Sequence, residues 1–268
     1  MTEKQTNNSS DGLTSPPPAD IVSPVTDGVL HNKVSPEDAR RAGRFGHDKP
    51  TPDNSIVLLI DHQIGLMAGV RDFTSLTEYK SNVVGLARIA KALKIPTLVT
   101  SSNAQWQNGD TLPEIKEIFN EQPIYRRTGI INAYEDPSFR RAFDDLVAST
   151  GRTHIIIAGV TIGTCCAFPT LSLLNDGYKV FPVVDACGAW NRYEAEAAIS
   201  RMSNAGAELV STFALGCELQ ADWKLPSSND MLVPFKENLP EYAFVVENFW
   251  NNADGANRVV KDPFDMVK

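Results

Sequence analysis

The chain is poor in the residues that build metal centres and cross-linked scaffolds. Its 268 residues include four cysteines and four histidines. His31, His47, His62 and His154 are scattered, and Cys165, Cys166, Cys187 and Cys217 form neither a C-x-x-C pair nor a Cys/His cluster. That spacing argues against a zinc site. So few cysteines in a chain of this length do not make a disulfide framework, and a reducing, cytoplasmic setting is expected. Positive charge is also short: 25 Lys and Arg against 33 Asp and Glu give a net charge of −8. A nucleic-acid binder needs the opposite balance. No apolar run approaches the roughly 20 residues of a membrane span, and the opening MTEKQTNNSSDG has no apolar core of a secretory leader. Phosphate-cradling glycines are missing too. The turn after the first expected strand reads Asp61-His62-Gln63-Ile64-Gly65, not the Gly-x-Gly-x-x-Gly that a nucleotide-binding reading requires.

What is present divides into three parts. Residues 1–54 are rich in Ser, Pro, Asp, Asn and Thr, include Pro16-Pro17-Pro18, and carry a short basic cluster of Arg40, Arg41 and Arg44. Apolar residues there are too sparse to offset the entropy of ordering, so a disordered tail with a solvated basic cluster is expected. From Ser55 the pattern changes. Continuous apolar runs predict buried strands over 56–60, 97–100, 155–159, 180–184 and 208–211. Helical spacing predicts helices over 78–93, 136–147, 166–176 (ended by Gly177) and 192–205. Alternating strands and helices imply an α/β domain over 55–225, a Rossmann-like doubly wound parallel sheet with helices on both faces. Residues 226–268 carry Phe235, Tyr242, Phe244, Phe249 and Trp250 without clear periodicity. An arm packing on this domain or on a neighbouring subunit is expected.

Ligands of open parallel sheets bind outside the carboxyl ends of the strands. Two segments put reactive side chains there. Asp61 follows the first strand, and Gly159-Val160-Thr161-Ile162-Gly163-Thr164-Cys165-Cys166 follows the third. Pro169 belongs in the first turn of the next helix, because proline is tolerated only where no amide partner is lost. That places the helix start near Cys165 or Cys166. A thiol at a helix N-terminus gains from the dipole and is expected to have a lowered pKa, and nearby amides can stabilise an oxyanion. A free cysteine is more often a small buried hydrophobe, which is the reading for Cys166, Cys187 and Cys217. From the residues alone Cys165 stands evenly between the two roles, and Asp61 also fits a cap or turn position.

Several separated motifs, in order, resemble the isochorismatase-like hydrolases, and among them the YcaC-like branch. They are Leu59-Ile60-Asp61-His62-Gln63, Thr128-Gly129-Ile130-Ile131-Asn132-Ala133, the Gly159-Val160 turn leading to Cys165-Cys166-Ala167-Phe168-Pro169, Gly177-Tyr178-x-Val180-x-x-Val183-x-Asp185-Ala186, and Cys217-Glu218-Leu219-Gln220-Ala221-Asp222-Trp223. The resemblance spans roughly residues 55–225. It implies an Asp, Lys and Cys triad on a Rossmann-like sheet, with Asp61 and Cys165 carried over. At the lysine position this chain has Arg127, as the YcaC-like branch does. Arginine stays protonated and is a poor proton shuttle, so it is expected to orient Asp61, the substrate, or both. The resemblance further implies a non-proline cis bond at Val160–Thr161 and assembly into a homo-oligomer. Nicotinamidases of the superfamily bind a metal through an Asp-x-His pair. Here Ser101-Ser102-Asn103-Ala104-Gln105-Trp106 holds neither residue, so no metal and no cofactor are expected.

The expected chemistry is hydrolysis of a small amide or related carbonyl compound through a covalent Cys165 intermediate. Thr161 is expected at the oxyanion site, and Phe168, Trp106 and Trp190 are candidates to line the substrate pocket. The alternative is an oligomeric binding or scaffold protein with a vestigial site, since fold alone does not fix function.

Overall fold

The computed structural model describes residues 48–252, with the side chains of 249–252 left aside. Residues 1–47 of the expected tail, with the arginine cluster, lie outside the described residues, as does the chain after Asn252; residues 48–54, also expected to be disordered, lie within them. The elements, in chain order, are β1 (Ser55–Ile60), α1 (Ile64–Ala68), α2 (Leu76–Ala92), β2 (Thr97–Ser102), α3 (Pro113–Ile118), β3 (Ile124–Arg127), α4 (Pro137–Thr150), β4 (His154–Gly159), α5 (Ala167–Asn175), β5 (Lys179–Pro182), α6 (Arg192–Asn204), α7 (Thr212–Gln220), α8 (Ser228–Asn238) and α9 (Pro240–Asn252). Ahead of β1, Lys49 to Asn54 is already ordered. The Asn54 side chain donates to the Lys49 carbonyl, and Arg152 donates to the carbonyls of Pro52 and Ser55.

The sheet order is β3-β2-β1-β4-β5, and every pairing is parallel. β1 and β4 sit at its centre and are buried along their whole length. This is the environment that their unbroken Ile, Leu and Val runs demand, since a strand covered on both faces has no solvated side. α2 packs with α7 and α8, while α5 packs with α6 and shares with α4 the turn at Ala133–Glu135, so the sheet lies between two helical layers. Helix ends follow local chemistry: Ser75, Asp136, Asn191 and Ser211 each accept a first-turn amide, and Gly151 closes α4 in the left-handed conformation.

Sequence and structure differ in three places. The strand over 208–211 is a stub. Glu208 and Val210 donate to the carbonyls of Val180 and Pro182, but the pairing shrinks to one bridge between Val183 and Val210. The strand cannot run on because Ser211 caps α7 and the chain turns into that helix. Second, β3 and the short helices α1 and α3 had no sequence signal strong enough to find them. Third, the described part of the segment after residue 225, which shows no regular spacing in sequence, is helical. It forms α8 and α9, and α8 packs on α2, where Ser81 donates to the Asn238 carbonyl and Arg88 to the Asn238 side chain. Phe235 is buried among Phe213, Trp223 and Tyr242. These aromatics complete the layer that α2 begins.

Candidate active site

The chain runs β1, β2, β3 to one side and then crosses to β4 and β5 on the other. Between β1 and β4 the strand order therefore reverses, which is where such sheets bind ligands. Asp61 follows β1 at that point with a positive φ of 58°, a conformation aspartate tolerates better than most residues. Thr100 is on β2, opposite Ile60, and Arg127 is the last residue of β3. The Val160–Thr161 bond after β4 is cis, as the resemblance implied.

Asp61 is wholly buried and held from three directions. Arg127 donates from Nη1 to Oδ1 at 2.8 Å and from Nη2 to Oδ2 at 2.6 Å. Thr100 donates from its hydroxyl to Oδ1 at 2.7 Å. Arg127 has further ties: Nη1 to Thr100 Oγ1 at 2.9 Å, Nε to the Ile130 carbonyl at 3.1 Å, and Nη2 to the Ile131 carbonyl at 3.4 Å. All five N–H donors of the guanidinium are thus engaged within the protein. Burial works against the arginine charge, but the hydrogen bonds and charge of Asp61 outweigh it and hold its pKa above the ordinary range. Of the two expected roles for Arg127, this geometry serves the orientation of Asp61 and leaves no donor free for substrate.

Cys165 reaches the same point from the other half of the sheet. The helical run begins at Ile162, earlier than expected, with a π turn over Ile162–Cys166 that closes through the Ala167 amide onto the Ile162 carbonyl. α5 then starts at Ala167, with Pro169 in its first turn. Gly159 makes this possible: a Cβ there would lie 3.1 Å from the Ile60 carbonyl oxygen and 3.2 Å from the Cys165 backbone. Cys165 is 9% exposed, lies within electrostatic reach of Asp61, and its sulfur accepts from Thr164 Oγ1 at 3.7 Å. The expected lowering of its pKa does not hold. Burial pushes the thiol well above its ordinary range, and the charge of Asp61 adds to this; the Thr164 hydrogen bond and the Arg127 charge oppose it only in part. A helix start favours thiolate, but a buried site with a carboxylate alongside disfavours a second anion more strongly. The site therefore favours the thiol over the thiolate.

The other sequence candidates are spread around this centre. Thr161 is buried at the start of the π turn, its hydroxyl 3.0 Å from that of Thr164. Phe168 is half-buried and lines a cavity of about 590 Å³ together with Ile130, Ile131, Ser172 and Arg201. Trp106 and Trp190 are 69% and 51% exposed, on the loops after β2 and β5. An opening of about 620 Å³ between α2 and α8, lined by Arg88, Lys91 and Val233, contains none of these residues. Cys166 and Cys187 are fully buried and Cys217 half-buried, in keeping with packing roles. Asp185, from the Gly177–Ala186 motif, anchors α7 by accepting the Thr212 amide at 2.7 Å and its hydroxyl at 2.8 Å. Sequence reading missed Thr100. The one clue was a polar residue at the carboxyl end of an otherwise apolar strand beside β1.

Comparison with known proteins agrees with this architecture. Residues 55–213 match the profile of the isochorismatase domain family. YcaC of Escherichia coli (strain K12), a "Probable hydrolase", is 38% identical over 200 residues, covering 74% of this chain and 92% of that protein. The structure of YcaC from Pseudomonas aeruginosa, solved "with hexane-2,5-diol and covalent acrylamide", superposes with a TM-score of 0.69 at 40% identity, covering 76% of this chain and 98% of the other. The E. coli YcaC structure, which "reveals an octameric hydrolase of unknown specificity", gives a TM-score of 0.70 at 36% identity, covering 76% and 97%.

Proposed function

The chain belongs to the isochorismatase family of hydrolases, and we propose that within it the protein is a cysteine-dependent hydrolase of a small amide or related carbonyl compound. The observation that carries this reading is a buried Cys165 thiol in electrostatic contact with an Asp61 carboxylate that Arg127 and Thr100 fix. A buried thiol facing a fixed carboxylate is a nucleophile with its base in place. Asp61 takes the Cys165 proton as sulfur attacks the carbonyl carbon. The amides near Thr161 and Cys165 receive the developing oxyanion. Asp61 then gives the proton to the departing nitrogen as the C–N bond breaks, leaving a thioester. Water attacks the thioester, Asp61 accepts the water proton, and the C–S bond breaks to release the acid and restore the thiol. Arg127 stays charged throughout and positions Asp61. Phe168, with Ile130 and Ile131, offers an apolar wall for the substrate, and Trp106 and Trp190 sit at the rim.

The covalent acrylamide in the P. aeruginosa relative supports this reading, since acrylamide is both a small amide and an electrophile for thiolates. The octamer of the E. coli relative supports a homo-oligomer here. Among the described residues no helix is long and apolar enough to cross a membrane, which accords with the cytoplasmic setting suggested by four free cysteines. The test is a panel of small amides and carbonyl compounds assayed with the pure protein, with Cys165→Ala as control and intact-mass spectrometry to catch the acyl-enzyme. Turnover that survives in Cys165→Ala, or no turnover and no adduct across the panel, would count against it.

A further inference from the structure

We propose that Thr100 is a positioning residue for proton transfer, fixing which oxygen of Asp61 acts as the base; the inference rests on the hydrolase reading of the Asp61–Cys165 pair. Thr100 Oγ1, Asp61 Oδ1 and Arg127 Nη1 form a closed triangle with sides of 2.7, 2.9 and 2.8 Å, and all three residues are buried. A guanidinium N–H can only donate, so the threonine oxygen must accept from Arg127. The threonine's own proton then has one acceptor left in the triangle, the Asp61 carboxylate. The direction of the hydroxyl is therefore set by chemistry. A water or a freely rotating hydroxyl at this place would not be so constrained.

The consequence falls on the carboxylate. Oδ1 accepts two hydrogen bonds, from Thr100 and Arg127, whereas Oδ2 accepts one, from Arg127. Oδ2 therefore keeps the lone pair that is free to take a proton. In the first step the S–H bond of Cys165 breaks, an O–H bond forms at Asp61 Oδ2, and the electron pair stays on sulfur. A valine at this position would have nearly the same shape on a buried strand and would leave Oδ1 with one donor. Any change in proton transfer is then separable from a change in packing.

The experiment is the pH dependence of Cys165 alkylation by iodoacetamide, read at each cysteine by mass spectrometry. The proteins are the full-length wild type, Thr100→Val, Thr100→Ser and Asp61→Asn, with Thr100→Ala as a second hydroxyl-free variant should the valine protein not fold. Thr100→Val is expected to displace the profile by about one pH unit, the scale of a lost hydrogen bond to an ionised group. Thr100→Ser is expected to restore it. Superimposed profiles for wild type and the hydroxyl-free variants, with Asp61→Asn displaced, would overturn the role of Thr100 and leave the Asp61–Cys165 reading intact. An unmoved Asp61→Asn profile would overturn that reading, and this inference with it.

Discussion

Arg127 and Asp61 form a two-point ion pair whose side chains are both fully excluded from solvent. Removing one partner of a buried pair leaves an uncompensated charge and costs about 3–5 kcal/mol. Arg127→Met is therefore expected to destabilise the protein by that amount, and Arg127→Met with Asp61→Asn by less, since the second change removes the orphaned carboxylate. Denaturant unfolding of the wild type, the two single variants Arg127→Met and Asp61→Asn, and the double variant measures this. Equal losses in the single Arg127→Met and double variants would show that the pair is not coupled.

Cys165 is expected to be the fastest-reacting thiol of the four in spite of its raised pKa, because it alone has a base in contact. The signs follow from its surroundings. Asp61→Asn removes a neighbouring negative charge and lowers the thiol pKa while abolishing hydrolysis; Arg127→Met removes a positive charge and raises it. Site-resolved alkylation rates against pH read both directions. First reaction at Cys217, the half-buried competitor, would return Cys165 to a packing role.

His62 makes the fold sensitive to mild acid. It is buried next to Asp61, its Nε2 lies 3.0 Å from the Ala186 carbonyl, and its Nδ1 has no partner. Burial holds its pKa below the ordinary 6.5, against the opposing effects of the Ala186 hydrogen bond and the Asp61 charge. The unfolded chain then binds a proton that the folded chain resists. The contribution to stability is complete above pH 6.5 and is lost as pH falls toward the depressed folded value. The melting temperature should drop between about pH 7.5 and about pH 5.5, and drop less in His62→Gln. Parallel losses in the two proteins would assign the acid sensitivity elsewhere.

Self-association is the expected fate of the exposed apolar rim. Trp106, Ile131, Trp190 and Tyr193 are between 51% and 82% exposed, more than a monomer in water usually leaves open. Sedimentation is expected to give a multiple of the 29.3 kDa chain mass, and Ile131→Asp or Trp190→Asp to lower it. A single-chain mass at micromolar concentration would refute the oligomer.

The boundary of the folded domain can be tested by truncation. Removing residues 1–47 should leave melting temperature and oligomer size nearly unchanged, given the composition of that segment. Extending the cut through Asn54 should lower the melting temperature, because it removes the turn that Arg152 and Thr153 hold. Equal behaviour of the two truncations would show that the turn adds nothing.

The sequence by itself determined the fold class and the central strands, and it pointed to Cys165 as the candidate nucleophile. These rest on local signals. Unbroken Ile, Leu and Val runs fit only doubly covered strands, and Gly177, Pro169 and the helix caps act over one turn of chain. Separated motifs in fixed order did the rest. What only the tertiary structure decided are relationships between distant residues. Thr100 meets Asp61 across 39 positions and Arg127 meets it across 66, and nothing in either local sequence announces the partner. Likewise, that every Arg127 donor is used and that the site favours the Cys165 thiol over the thiolate follow from burial and from charges brought alongside by folding. The docking of α8 on α2 has the same origin: apolar side chains without a regular spacing reveal their face only when the surface they cover is in place. Hydrogen bonds and desolvation depend on distance in space, which the chain fixes only when the sheet has formed.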